Sequence, residues 1–187
     1  GGLFHFRVGW CRRNIRVRIP LEWCEAMELK RVVITGRGSV SPFGLGVDEL
    51  VENLWQGNSA AQVIPEWFSI AGLNSHIAAP VPDFESKKLL PRSVRRTTGA
   101  MGIYAILASK EALQEAEIDE AELDSGEIGV IAGSTTGSAA AYEDFYSRYM
   151  PDKKLDEIKS GEFFKIMGHS CSANICQALG ITGEQWA

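Results

Sequence analysis

Apolar positions along this chain follow two spacings, one typical of buried strands and one typical of helices, and the two alternate. Residues 29–35 form a continuous, β-branched-rich run closed by Gly36, the pattern of a strand buried on both faces in a parallel sheet. Downstream, Leu50, Val51, Leu54 and Trp55 share one helical face; Asp48 is positioned to cap that helix and Gly57 to end it. Residues 66–84 have no sustained period and are bordered by Pro65, Pro80 and Pro82, so they read as loop with short strands at most.

From residue 97 to 116, Ala100, Ile103, Tyr104, Leu107, Ala108, Leu113 and Ala116 predict a helix that is apolar nearly all round in its first half, and therefore buried. A second short apolar strand is predicted over 128–132, closed by Gly133 and followed by the hydroxyl-rich Ser134, Thr135 and Thr136. Residues 142–150 read as helical and 152–161 as solvated. A final helix is predicted over about 163–179, leading into a turn from Gly180 to Gly183. Its Gly168, Ser170, Ser172 and Ala173 weaken it intrinsically but permit close approach of another backbone, so something must pack tightly on it. The alternation of strands and helices predicts an α/β architecture.

At 187 residues and 45% hydrophobic, the chain supports one sizeable core, and one domain is expected. The net charge of −5 argues against a nucleic-acid surface, which needs a clustered excess of Lys and Arg. Residues 1–26 differ from the rest: five arginines stand against Glu22 and Glu25, so the remainder is more acidic than the whole-chain figure suggests. The arginines interrupt any apolar core that a signal peptide would need, so the segment reads as a non-native or upstream leader, disordered, with the domain proper spanning 27–187 from Met27. No run of about 18 apolar residues occurs to span a membrane, and a cytoplasmic location is expected. Cys11, Cys24, Cys171 and Cys176 lack the CxxC spacing of a redox or zinc site, and a disulfide framework is not expected.

Several motifs fail on inspection. Gly36-Arg37-Gly38 follows a predicted strand as a dinucleotide fingerprint does, but the third glycine position is Ser41 and Pro42 follows at once, where a helix would have to begin. Gly168-His169-Ser170-Cys171-Ser172 resembles a nucleophile elbow, yet its last glycine is replaced and no strand precedes it. His169, Cys171 and Cys176 do not converge on one helical face as metal ligands would, and no metal is expected. The clearest electrostatic signal is Lys87, Lys88, Arg92, Arg95 and Arg96, five cations with no acid between Glu85 and Glu111. Such a patch is either a solvated helix start or a docking surface for an acidic partner.

Taken together, the run from Phe163 to Asn174, the opening Arg31-Val32-Val33-Ile34-Thr35-Gly36 and the Ser41-Pro42-Phe43-Gly44 turn resemble the β-ketoacyl-acyl carrier protein synthases, condensing enzymes of the thiolase-like superfamily. Residues 73–76 and 103–107 look closer to the type I synthases. Arg37 and Glu184-Gln185-Trp186 depart from the family pattern and leave subtype and chain length open. The resemblance implies the N-terminal half of a thiolase-like fold: a mixed sheet packed by helices, one half of an αβαβα sandwich that forms a homodimer. It implies decarboxylative Claisen condensation of acyl and malonyl thioesters in fatty acid synthesis, carried out by a cysteine nucleophile and two histidines without a cofactor.

None of those three catalytic side chains can be assigned to this sequence, so the chain is expected to be a part truncated before the nucleophile, inactive by itself and prone to associate through uncovered apolar faces. What the resemblance carries over is Arg92 and Arg95 for docking acyl carrier protein, with Thr136 and Met167 lining the acyl pocket. Two other readings remain open: a non-catalytic partner resembling chain-length factors, and a dinucleotide-binding module.

Overall fold

In the computed structural model the described residues are 31–156 and 158–187. The chain divides into two units, Gly1–Val33 and Ile34–Ala187. The leader expected over 1–26, Met27 and the first two residues of the predicted strand at 29–35 lie outside the described residues.

In chain order the second unit contains β1 (Val40–Ser41), β2 (Gly44–Leu45), α1 (Val47–Trp55), β3 (Gln62–Val63), a 3-10 turn (Pro65–Ser69), β4 (Ile77–Ala78), α2 (Ser86–Leu89) and α3 (Arg92–Arg95). There follow α4 (Ala100–Glu115), α5 (Glu120–Leu123), β5 (Val130–Ile131), α6 (Ala139–Tyr149), α7 (Ser160–Ile166), α8 (Ser170–Leu179) and β6 (Gln185–Trp186). β1 and β2 form an antiparallel hairpin in which Val40 faces Leu45, β3 and β4 pair antiparallel with Gln62 opposite Ala78, and β5 runs parallel to β6 with Val130 opposite Gln185.

The core sits where α4 crosses α8. Ile106 of α4 is fully buried and packs in one cluster with Cys171 and Ile175 of α8, Leu123 of α5, Val130 of β5, Val94 of α3 and Ile181. Shielding these side chains from water is the main force holding the elements together. The small residues of α8 behave as their size requires: Ser172 is completely enclosed, and Asn174 reaches Gly102 on α4. Gly180, in the left-handed region at φ 73°, ends α8.

Three expectations are corrected. Residues 31–35 are not in a strand: none among the described residues pairs with them, and Val32 and Ile34 are 90% and 88% exposed. A strand of a parallel sheet depends on ladder partners on both sides, and the described residues provide none there. The helix predicted over 163–179 is instead two, α7 and α8, separated at Met167, whose backbone is extended at φ −80° and ψ 122°. Ser170 supplies the physical reason: its hydroxyl donates to the Met167 carbonyl at 2.6 Å and its N–H to the same oxygen at 3.1 Å, starting a new helix there. Finally, α1 begins at Val47, with Asp48 in its first turn rather than capping it.

Gly36 and Gly38 find a packing explanation. A Cβ on Gly38 would strike the Ala108 carbonyl of α4, and one on Gly36 the Ala112 carbonyl, so the glycines let this segment lie against a helix backbone.

Candidate functional site

Thr136 lies exposed in the loop between β5 and α6, and Met167 is half-buried in the break between α7 and α8. The structure brings these two segments together. Gly137 adopts φ 71°, a conformation that favours glycine, and a Cβ there would stand 3.0 Å from the Ile166 carbonyl. From the other side, a Cβ on Gly168 would stand 3.5 Å from the Ser134 carbonyl. The residues flanking Thr136 and Met167 therefore touch backbone to backbone.

The N-terminus of α4, α6 and α7 together border an open depression of about 250 Å³, lined by Thr98, Ser138, Asp144, Glu162 and Lys165; neither Thr136 nor Met167 lines it. Thr98 and Ser138 are buried; the Thr98 hydroxyl donates to the Val94 carbonyl at 2.8 Å. A larger open groove of about 790 Å³, between Pro42, Phe43, Asn58 and Pro82, contains none of the sequence-predicted site residues.

Arg92 and Arg95 form a separate pair on the one-turn helix α3, which Val94 anchors in the core between them. Arg92 is exposed, whereas Arg95 is half-buried and its Nε donates to the Leu90 carbonyl at 3.0 Å. Of the cationic patch, Lys88 pairs with Glu85; among the described residues Lys87, Arg92, Arg95 and Arg96 have no carboxylate within 4.0 Å. The patch therefore presents uncompensated positive charge on an acidic protein. The segment that follows α3 runs beside α7: a Cβ on Gly161 would stand 3.5 Å from the Arg96 carbonyl, and one on Gly99 3.1 Å from that of Lys165.

Sequence reasoning missed the groups that hold α6 and α7. Arg148 on α6 meets Glu162 on α7 at 2.9 Å and also pairs with Asp144 one turn back. These two carboxylates, Glu162 foremost, push the Arg148 guanidinium pKa up. The Asp144–Arg148 spacing was readable as an i,i+4 pair, but nothing local points to Glu162. Cys171 and Cys176 sit in or against the core, and burial pushes both thiols up, so they are neutral packing groups rather than nucleophiles.

The chain matches the family model for the beta-ketoacyl synthase N-terminal domain over residues 29–187. It belongs to the beta-ketoacyl synthase family. It is 32% identical to 3-oxoacyl-(acyl-carrier-protein) synthase 1 of Haemophilus influenzae over 59% of this chain and 27% of that protein. A beta-ketoacyl synthase from Burkholderia phymatum superposes with a TM-score of 0.75 at 30% identity, covering 84% of this chain and 39% of that one. The ishigamide ketosynthase/chain length factor superposes at 0.70 with 25% identity, covering 83% and 39%. The fold of this beta-ketoacyl synthase domain is accordingly the N-terminal half of the thiolase-like α/β architecture, and the chain spans well under half the length of these relatives.

Proposed function

We propose that this domain is the N-terminal part of a 3-oxoacyl-acyl carrier protein synthase, a transferase that condenses acyl and malonyl thioesters in fatty acid synthesis. The observation that carries the reading is the contact between the Thr136 loop and the Met167 break. Gly137 against Ile166 and Gly168 against Ser134 hold together two segments that are 31 positions apart in sequence. On this reading the acyl chain runs alongside the contact, with Thr136 limiting its depth and the flexible Met167 thioether adapting to its shape.

Arg92, at the front of the uncompensated cationic patch, docks the acidic acyl carrier protein, with Arg95 beside it. The working protein is a cytoplasmic homodimer that needs no cofactor, and the cysteine and two histidines of the reaction are not among residues 1–187. Taken alone, this chain has no condensing activity.

The test is condensation by the complete gene product, with acyl carrier protein thioesters of graded length. Condensation is expected from it and not from residues 1–187, and Thr136→Phe is expected to shift acceptance toward shorter chains. A parent protein that condenses while Thr136→Phe leaves its preference unchanged would remove the pocket assignment. The likeness to a ketosynthase/chain length factor favours a second reading, a non-catalytic partner subunit. A cysteine in a small-residue turn just after residue 187 of the gene product supports the enzyme; glutamine there supports the partner.

A further inference from the structure

The α6–α7 pair is held in an unusual way. No residue of α6 is buried, and α7 buries only Ile166 at its far end. An open depression of about 250 Å³ borders both helices and the N-terminus of α4, so fully buried side chains contribute little to where the two helices stand. Among the contacts that place them, Gly137 rests against the Ile166 carbonyl at one end, Gly99 at the N-cap of α4 lies against both Ser138 and the Lys165 carbonyl, and at the other end Arg148 meets Glu162 at 2.9 Å.

The ion pair is partly shielded, with side-chain exposures of 32% and 20%, and Glu162 Oε2 is wholly enclosed with the Arg148 cation as its compensation among the described residues. Removing that cation leaves an enclosed carboxylate oxygen without its counter-charge, which favours a shift of the helix carrying it toward water. The geometry is directional. α6 begins three residues after Thr136, and α7 ends one residue before Met167, so any sliding of one helix along the other changes the gap between those two residues.

We propose that Arg148 and Glu162 form a positioning pair that sets the gap between Thr136 and Met167, and with it the length of acyl chain this domain accepts. This rests on the acyl-pocket reading above. Neither residue touches the acyl chain; they act through the helix ends.

The test compares the complete gene product with its Arg148→Met, Glu162→Gln, Arg148→Lys and Arg148→Met/Glu162→Met variants, using acyl carrier protein thioesters from the shortest to the longest accepted, with Thr136→Phe as the control for the pocket. Because remote misplacement of about 1 Å costs up to about a hundredfold, Arg148→Met and Glu162→Gln should lower kcat/KM for the longest primer about tenfold through KM. The shortest primer should be turned over as before. Arg148→Lys should restore much of the long-chain activity. The Met/Met variant, which carries no unpaired charge, should melt as the parent does and still shift chain preference.

Equal losses on all primers, tracking the melting temperature, would make the pair merely structural and overturn the proposal. So would unchanged preference in all four variants while Thr136→Phe shifts it, which leaves the pocket reading standing. A Thr136→Phe variant without effect removes the pocket reading, and the positioning role falls with it.

Discussion

The Glu111 carboxylate on α4 accepts the backbone N–H of Val47, the first residue of α1, at 2.7 Å. Its second oxygen accepts the N–H of Ser39 at 2.9 Å. Gly46 at the N-cap of α1 offers no capping side chain; the Val47 N–H, one of the orphan donors of the first turn, is satisfied from a distant helix, and the negative charge also suits the helix N-terminus. Glu111→Ala is expected to lower stability by about 2 kcal/mol, since charge-assisted bonds to two backbone donors disappear together. Urea unfolding measures the loss, and hydrogen exchange should accelerate at Val47 and Ser39. Unchanged exchange at both amides would contradict the arrangement.

That distant cap marks the boundary of what the sequence discloses. Local periodicity is enough for α4, for the loop around β4 and for the short strand at Val130–Ile131, because each is decided by its own residues and their immediate neighbours. The cap of α1 is not, because Glu111 is 64 positions from Val47. Nor is the break at Met167, where the apolar pattern continues through and only the Ser170 hydrogen bonds decide against a single helix. Residues 29–35 read as a strand from composition alone, but a strand exists only through its partners, and among the described residues 31–35 have none. Of the candidate site, Thr136 and Met167 follow from family likeness alone, and that their segments meet is not readable from the sequence. Nor is the Arg148–Glu162 tie between their helices.

Gly38 tests the close approach of its segment to α4. A Cβ there would collide with the Ala108 carbonyl, a backbone atom that cannot rotate away. Gly38→Ala should therefore cost about 3 kcal/mol or more, the upper range for overpacking. Gly133→Ala is the matched control: nothing lies within 4 Å of its would-be Cβ, and its φ is not positive. Its melting temperature should stay at the parent's value. Equal melting of the two variants would mean that residues 36–38 do not lie on α4.

Arg37 and Glu115 link the same segment to the end of α4. The Arg37 Nη2 lies 2.5 Å from Glu115 Oε1, and the hydrogen bond lowers the Glu115 pKa below the ordinary carboxylate value. A depressed folded-state pKa means that the contribution is fully present above the unfolded value, about 4.3 for a glutamate, and is lost as pH falls through the folded value. Both groups are exposed, so the effect is modest and weakens with salt. Thermal melts of the parent and Glu115→Gln should differ most at neutral pH and low salt, with the parent more stable. The two curves should converge as pH falls toward 3, the acid side of the carboxylate range. A difference that grows on acidification has the wrong sign for this pair.

The two arginines of α3 separate docking from stability. Arg92 is exposed and, among the described residues, has no carboxylate partner; Arg95 supports the buried Leu90 through its carbonyl. Arg92→Glu should leave stability within about 0.5 kcal/mol, as surface changes usually do, whereas Arg95→Ala should cost about 1 kcal/mol for the lost hydrogen bond. Binding to an acidic acyl carrier protein should respond in the opposite order for Arg92. Reversing a charge at the front of the patch removes attraction and adds repulsion, so the association rate should fall about tenfold at low salt, since steering fields of this kind act on the on-rate. The deficit should shrink as salt shortens the screening length to about 8 Å near physiological ionic strength. Stopped-flow binding across a salt series measures both quantities on the complete gene product. If Arg92→Glu binds the carrier as fast as the parent at every salt concentration, the cationic turn of α3 is a solvated helix end and the docking surface lies elsewhere.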